Sequence, residues 1–275
     1  MERRVFMDAT NNDDIVVDNY SLASYYVEMY FNEKKLANAT CFFSQQNGKV
    51  YIVTNWHVVS GKDADTLQCL DSNAAIPNKL RIYLPKYVEE EGYQFIDAFF
   101  VEVDLYDAGG DKLWYELECS GKMIDVALIP FKEETDLFFI PIERAGEPFN
   151  EDTRFQIADD IFIIGFPFGQ IGGCMPIWKR ASVANEPEYD MNGMPYYFAD
   201  TATRSGMSGS PVILYKDRPA AVISKKEGLS RHRTKLAGIY SGRIGANTGN
   251  RNDAQLGRVW KTRVIKDILA IYEES

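Results

Sequence analysis

The sequence predicts an all-β protein, an antiparallel barrel or sandwich, with one helix at its C-terminus. Three observations predict it. Short β-rich apolar runs recur along the chain, each bounded by turn residues. The two halves of the 275 residues are both strand-rich and similar in length, without an internal sequence repeat. Clear helical spacing occurs only at the end, where Val264, Ile265, Ile268, Leu269 and Tyr272 share one face.

Taken in order, residues 1–19 are polar and acid-rich and read as an arm. Residues 22–31 are dense in apolar and aromatic side chains, which suits a strand or a helix. Turn signals at Asn32–Lys35 and Gln45–Gly48 frame strands at 36–43 and 50–53. Further strands are expected at 80–84, 95–105, 113–117 and 126–129, with loops at Glu89-Glu90-Glu91 and Ala108–Asp111. The charged stretch 143–152, with Gly146 and Pro148, reads as a linker. Beyond it, strands are expected at 161–165, 175–183, 196–199, 211–214, 220–223 and 236–240. The units are then an arm at 1–19, a first half at 20–142, a linker at 143–152, a second half at 153–260 and a helix at 261–275. The helix is expected to pack on the second half.

Composition narrows the function. Hydrophobic residues make up 45% of the chain, enough to bury a core in one large domain or two small ones. The net charge of −10 argues against nucleic acid as a partner. Met1–Val5 leads into Asp8, Asn11, Asn12, Asp13 and Asp14 rather than an apolar core, so no signal peptide is expected. No apolar stretch reaches about 18 residues, so no membrane span or membrane partner is expected. Cys41, Cys69, Cys119 and Cys174 show no CxxC spacing. They read as reduced thiols of a cytoplasmic protein, without a zinc site or other cofactor.

The stretch Gly206-Met207-Ser208-Gly209-Ser210-Pro211 has the makings of a nucleophile loop. Its glycines permit φ values other residues resist and leave room for a carbonyl to approach the main chain. The N–H groups of Gly206 and Ser208 are then candidates to hold an oxyanion. The same residues also suit an ordinary surface turn, so the chain must supply a base and an orienting acid. There are two histidines. His232 lies between Arg231 and Arg233 in a polar loop, whereas His57 follows an apolar strand in Thr54-Asn55-Trp56-His57-Val58-Val59. Asp125 sits inside the apolar segment Met123–Ile129, where a carboxylate needs partners to stay charged. An imidazole N–H is one such partner, and the carboxylate in turn fixes the tautomer. Alone, His57 also reads as a structural histidine and Asp125 as a turn residue.

Together, TNWHVVSG, DVALIP and GMSGSPVI, in the order His, Asp, Ser, resemble the motifs of the chymotrypsin-like (trypsin-fold) serine peptidases. They are most similar to intracellular bacterial trypsin-like peptidase domains. The resemblance runs roughly from Tyr25 to Tyr240 and includes Ile163–Pro167 and Gly238–Gly242. It implies two packed antiparallel six-stranded β-barrels with the active site between them. It assigns His57 as general base, Asp125 as its orienter and Ser208 as nucleophile, with the Gly206 and Ser208 amides as oxyanion hole. Ser241 is placed near Asp125, pairing with the substrate backbone. Ala202, Thr203, Ser241, Gly242 and Arg243 are placed at the specificity pocket. Uncharged Ala202 fits a small or medium apolar side chain better than Lys or Arg, while Arg243 is able to narrow the cleft or attract an acidic residue.

Two positions depart from the family pattern. Met207 replaces Asp or Asn, and Ser210 replaces the second Gly. In secreted members that aspartate pairs with a new N-terminus freed by cleavage, which Met207 cannot do, so activation of that type is not expected. The implied reaction is hydrolysis of a polypeptide through an acyl-enzyme, rising with pH with a midpoint of about 6.5 to 7. Two other classes compete. An α/β-hydrolase requires the order Ser, acid, His, and only His232 follows Ser208. A catalytically silent or partner-activated peptide-binding module with the same fold is the other alternative.

Overall fold

Apolar alternation along the chain builds two β-systems that share a core. The structure, a computed structural model, describes residues 5–7, 17–90, 93–132, 137–146, 155–169, 175–217, 232–243 and 255–273. The expected strand at 220–223, much of the expected linker and Cys174 lie outside the described residues.

The first half opens with β1 (Val5–Met7) and the single-turn α1 (Asn19–Leu22), capped by the Asp18 carboxylate on the Tyr20 amide at 2.8 Å. The ambiguous stretch 22–31 becomes strand β2 (Ser24–Phe31), because Tyr25 and Val27 bury on one face. Next come β3 (Lys34–Gln46), β4 (Lys49–Thr54) and α2 (Trp56–Ser60). The β3–β4 hairpin turns on Asn47-Gly48, both at positive φ (50° and 79°), the backbone a two-residue hairpin requires. Then follow β5 (Lys79–Glu90), β6 (Tyr93–Asp104), the two-residue strands β7 (Glu118–Cys119) and β8 (Lys122–Met123), and β9 (Ala127–Phe131). The strand order is β1-β6-β5-β2-β3-β4-β9 in one seven-stranded sheet.

The second half contributes β10 (Asp160–Gly165), β11 (Ile177–Val183), β12 (Tyr196–Asp200), β13 (Pro211–Asp217), β14 (His232–Arg243) and β15 (Leu256–Lys261). These close a six-stranded barrel in the order β10-β11-β12-β15-β14-β13. The chain ends in α3 (Arg263–Glu273).

Three buried clusters explain the assembly. One fills the first half around Tyr25, Phe43, Ile52, Ile82 and Leu84. A second fills the closed barrel around Ile163, Tyr197, Val212 and Tyr240. The third joins the halves, with Phe42, Tyr51 and Val126 from the first meeting Ile164, Ile213 and Trp260 from the second.

Several expectations need correction. Residues 113–117 form no strand, because their amides and carbonyls bond to separate segments, Leu113 to Leu105, Tyr115 to Leu128 and Leu117 to Ile124. Glu89 and Glu90 belong to β5 rather than a loop, paired with Gln94 and Tyr93 in a long hairpin. Strand β15 was not foreseen as an element, yet it closes the barrel between β12 and β14. At the junction of the first half and the expected linker, Ile142–Arg144 makes one helical turn, and the Glu143 carboxylate accepts from Ser44 Oγ and from the Gln45 amide at 2.9 Å.

Helix α3 does not pack on the second half alone. Val264, Ile265, Ile268 and Leu269 enter the shared core, and Tyr272 stacks on Tyr115 of the first half at 4.2 Å. Glu273 accepts from Tyr51 Oη, Asn47 and Lys49, which hold its carboxyl well below the usual range, at about 2. Periodicity shows which face of a helix is apolar, but not which surface that face will meet.

Candidate active site

The short helix α2 carries His57 out of the first half. It ends at Gly61, whose φ of 67° is left-handed and whose amide returns to the His57 carbonyl at 3.0 Å. Trp56 anchors its start, donating its indole N–H to Glu116 at 2.7 Å, and Trp114 donates to the same carboxylate at 2.8 Å. Asp125 lies between β8 and β9 and is 3% exposed. Asn55 holds this segment by donating to the Asp125 carbonyl at 2.7 Å.

The buried Asp125 carboxylate is saturated with donors. His57 Nδ1 lies 2.8 Å from Oδ2 and 3.0 Å from Oδ1, and the His57 backbone amide donates to Oδ1 at 2.8 Å. Ser241 Oγ, from β14 of the other half, donates to Oδ2. Nδ1 therefore carries a proton, which leaves Nε2 free to accept one in the neutral ring.

The electrostatics follow. Burial opposes charging of His57, but the Asp125 charge and hydrogen bond, with the Asp63 field, outweigh it and raise the imidazole pKa above its ordinary value. Burial also opposes the Asp125 charge, but His57 and the Ser241 and backbone hydrogen bonds outweigh it and lower the carboxyl pKa.

Ser208 sits on a turn between β12 and β13 and is half-buried. Gly206 (φ 97°) and Gly209 (φ 81°) flank it in the left-handed region. A Cβ at Gly206 would lie 2.2 Å from the Phe166 carbonyl oxygen, and one at Gly209 would lie 2.1 Å from the Thr40 carbonyl oxygen. Among the described residues, the Gly206 and Ser208 amides have no acceptor, and Ser208 Oγ makes no hydrogen bond to His57.

The two departures from the family pattern fare differently, Met207 filling an apolar site while the buried Ser210 hydroxyl has no hydrogen-bond partner among the described residues. Met207 is 1% exposed and packs into the barrel core, so apolar burial anchors the turn. Ser210 is wholly buried and lies over Gly165, where a Cβ would come within 2.0 Å of its Oγ.

Sequence reasoning missed Thr40, which clasps the turn from the first half. Its amide donates to the Ser208 carbonyl at 2.8 Å and its Oγ1 to the Gly206 carbonyl at 2.8 Å. The same Oγ1 accepts from the Phe166 amide at 3.2 Å, and the Thr40 carbonyl accepts from Thr54 Oγ1 at 2.9 Å. The only local signal was a threonine in a strand, which is ordinary. Thr40→Val keeps the shape and leaves a buried carbonyl and a buried amide unpaired. It is expected to lower unfolding stability by about 1–3 kcal/mol, with Thr40→Ser close to the parent. Urea melts of the two variants check this.

The expected pocket residues lie on two segments, the loop between β12 and β13 and the end of β14. Thr203 is buried, and its hydroxyl hydrogen-bonds Tyr240 Oη, next to Ser241. Gly242 has a φ of 124°, Arg243 is half-exposed and Ala202 is half-buried. His232 opens β14 opposite Asp217, away from this group along the strand. Cys41, Cys69 and Cys119 are free thiols, and among the described residues no His, Cys, Asp or Glu cluster could hold a metal ion. Among them also, no helix is long and apolar enough to cross a membrane.

The His57–Asp125 pair shares its carboxylate with Ser241 of the other half, and the glycine-framed serine turn is clasped by Thr40 of the first half, so both lie where two β-systems meet, the architecture of a chymotrypsin-like serine peptidase. The chain belongs to the trypsin-like peptidase domain family, whose model matches residues 39–222, more than half its length. No curated protein sequence matches it. Among solved structures, it is similar to the active form of the Rv3671c protease from M. tuberculosis, at 16% identity and a TM-score of 0.47 over 91% of this chain and 81% of that one. It is also similar to a serine endoprotease from Yersinia pestis, at 12% identity and a TM-score of 0.46 over 94% and 67% of the two chains. A third is the HtrA-type protease AlgW with tripeptide, at 14% identity and a TM-score of 0.46 over 92% and 62%.

Proposed function

We propose that the protein is a serine endopeptidase that hydrolyses polypeptides through an acyl-enzyme. Ser208 attacks the scissile carbonyl while His57 Nε2 takes its proton. The Gly206 and Ser208 amides receive the oxyanion, His57 then protonates the leaving amine, and water releases the acyl group by the same steps in reverse. Asp125 keeps His57 in the required tautomer, and Ser241 pairs with the substrate backbone. The site residues assigned from the motifs keep these roles, with Ala202, Thr203, Gly242 and Arg243 lining the pocket. The observation that carries this reading is the Asp125 carboxylate, held at once by the His57 ring, the His57 amide and Ser241. With Met207 buried, no cleaved N-terminus is needed to set the turn.

Fluorophosphonate labelling tests the reading. The parent is expected to label, and Ser208→Ala and His57→Ala to lose labelling while remaining folded by circular dichroism. Parent labelling that survives either substitution would sink the assignment.

The pH dependence carries a definite sign. The neutral imidazole is the active form, so activity is present above the His57 pKa and is lost as pH falls through it. Because that pKa is raised, the midpoint of the acid limb of kcat/KM is expected above the ordinary imidazole value of about 6.5. A pH–rate profile reads it directly.

The same probe separates a partner-activated enzyme and a silent peptide-binding module from the constitutive peptidase. Labelling that appears only with added peptide or partner supports that regulated form; peptide binding without labelling under any condition supports the silent module.

A further inference from the structure

The backbone of Tyr240, near the end of β14, is bonded to the serine turn. The Gly209 amide donates to the Tyr240 carbonyl at 2.8 Å, and the Tyr240 amide donates to the Ser210 carbonyl at 2.9 Å. The next residue, Ser241, carries the hydroxyl that donates to Asp125. Tyr240 is therefore fixed directly to the candidate site.

Its side chain enters the closed barrel and is 1% exposed. The ring reaches Gly257 at the start of β15, where a Cβ would stand 2.9 Å from the phenol oxygen and closer still to the ring. Gly257 opposes Arg243 in the β14–β15 pairing, so the ring runs along the sheet to the level of Arg243. At its far end the Thr203 hydroxyl hydrogen-bonds Oη. Thr203 belongs to the loop before the serine, and the Thr201 amide ties that loop to the Gln255 carbonyl at 2.8 Å, just ahead of β15.

Three segments thus enclose one phenol: the loop before the serine, the end of β14 and the start of β15. The first two are the segments assigned to the specificity pocket. Burial pushes the phenol up to about 12, so Tyr240 brings no charge. The two buried hydroxyls satisfy one another, and neither is left over for a substrate group.

We propose that Tyr240 fills the specificity pocket from within, so that the enzyme cleaves after residues with small side chains: glycine, alanine or serine. The proposal rests on the peptidase reading. Ala202 by itself leaves room for a medium apolar side chain, and the ring takes that room away. A leucine or phenylalanine would have to displace a ring held by its own strand and by Thr203, in an interior too densely packed to yield freely. A glutamate would meet a neutral, paired phenol.

Peptidyl diphenyl phosphonates test this, since they modify an activated serine and carry a chosen side chain at the residue preceding the scissile bond. Four probes differ only in having Ala, Leu, Phe or Glu there, and a fluorophosphonate without such a side chain is measured beside them. The parent is expected to react with the Ala probe roughly ten- to a hundredfold faster than with the other three. Tyr240→Val removes the ring with a residue suited to a strand, and is expected to raise the Phe-to-Ala rate ratio at least about tenfold. Adding Gly257→Ala to that variant puts a Cβ where the ring stood and is expected to lower the ratio again. General damage to the site slows both probes and leaves the ratio unmoved. A parent that takes the Leu, Phe or Glu probe as fast as the Ala probe would overturn the proposal, and decides it even where Tyr240→Val does not fold. So would an unchanged ratio in folded Tyr240→Val, or a parent that takes the fluorophosphonate and none of the four. A parent that also refuses the fluorophosphonate is a distinct result, in which the peptidase reading itself fails.

Discussion

Asp125→Asn is expected to lower kcat for peptide hydrolysis roughly ten-thousand-fold while the protein stays folded, as the same exchange does in serine peptidases with a Ser-His-Asp triad. The reason is the direction of one hydrogen bond. The carboxylate only accepts, so His57 Nδ1 must donate and Nε2 is left to take the Ser208 proton. An asparagine amide can turn its N–H₂ to Nδ1, which moves the ring proton to Nε2 and makes His57 unable to act as base. A second readout separates this from simple damage. Loss of the Asp125 charge removes the main influence raising the His57 pKa, while burial remains. The acid limb of the residual activity is therefore expected to move to lower pH than in the parent. A full-rate variant, or an unmoved limb, would show that Asp125 does not orient His57.

Gly206→Ala is expected to cut the fluorophosphonate labelling rate by roughly a hundred- to a thousandfold, the loss associated with one oxyanion donor. At φ 97° an L side chain is strained, and its Cβ would stand 2.2 Å from the Phe166 carbonyl oxygen. Backbone cannot move aside as a flexible side chain can, so the turn must shift and carry the Gly206 amide with it. Gly193→Ala supplies the control, with a similar left-handed φ of 73° and nothing within 4 Å of the new Cβ. It carries the backbone strain without the collision and is expected to label at the parent rate. Equal labelling by Gly206→Ala and the parent would remove Gly206 from the oxyanion site.

Much of the site was legible because each part had a local signature. A glycine-framed serine, a histidine after an apolar strand and an aspartate inside an apolar segment stand out in one dimension. Thr40 did not, since its role lies in bonds to Gly206 and Ser208, 166 and 168 positions away in the chain. Tyr240 likewise looks like an ordinary strand residue until β15 is seen to bring Gly257 against its ring. Strand β15 itself was overlooked, although Val259 and Trp260 are buried, because its short apolar signal is interrupted by Arg258 and Lys261.

The sequence by itself determined the β class and the C-terminal helix and marked His57, Asp125 and Ser208 as candidates, since periodicity and turn chemistry act over a few residues. Tertiary structure alone decided that α3 bridges both halves and that Met207 anchors the serine turn by burial in the barrel core. It also decided that Thr40 ties the two halves together at the serine turn. These are contacts between distant segments, and no local propensity specifies which buried donor will meet which buried acceptor once the two cores close.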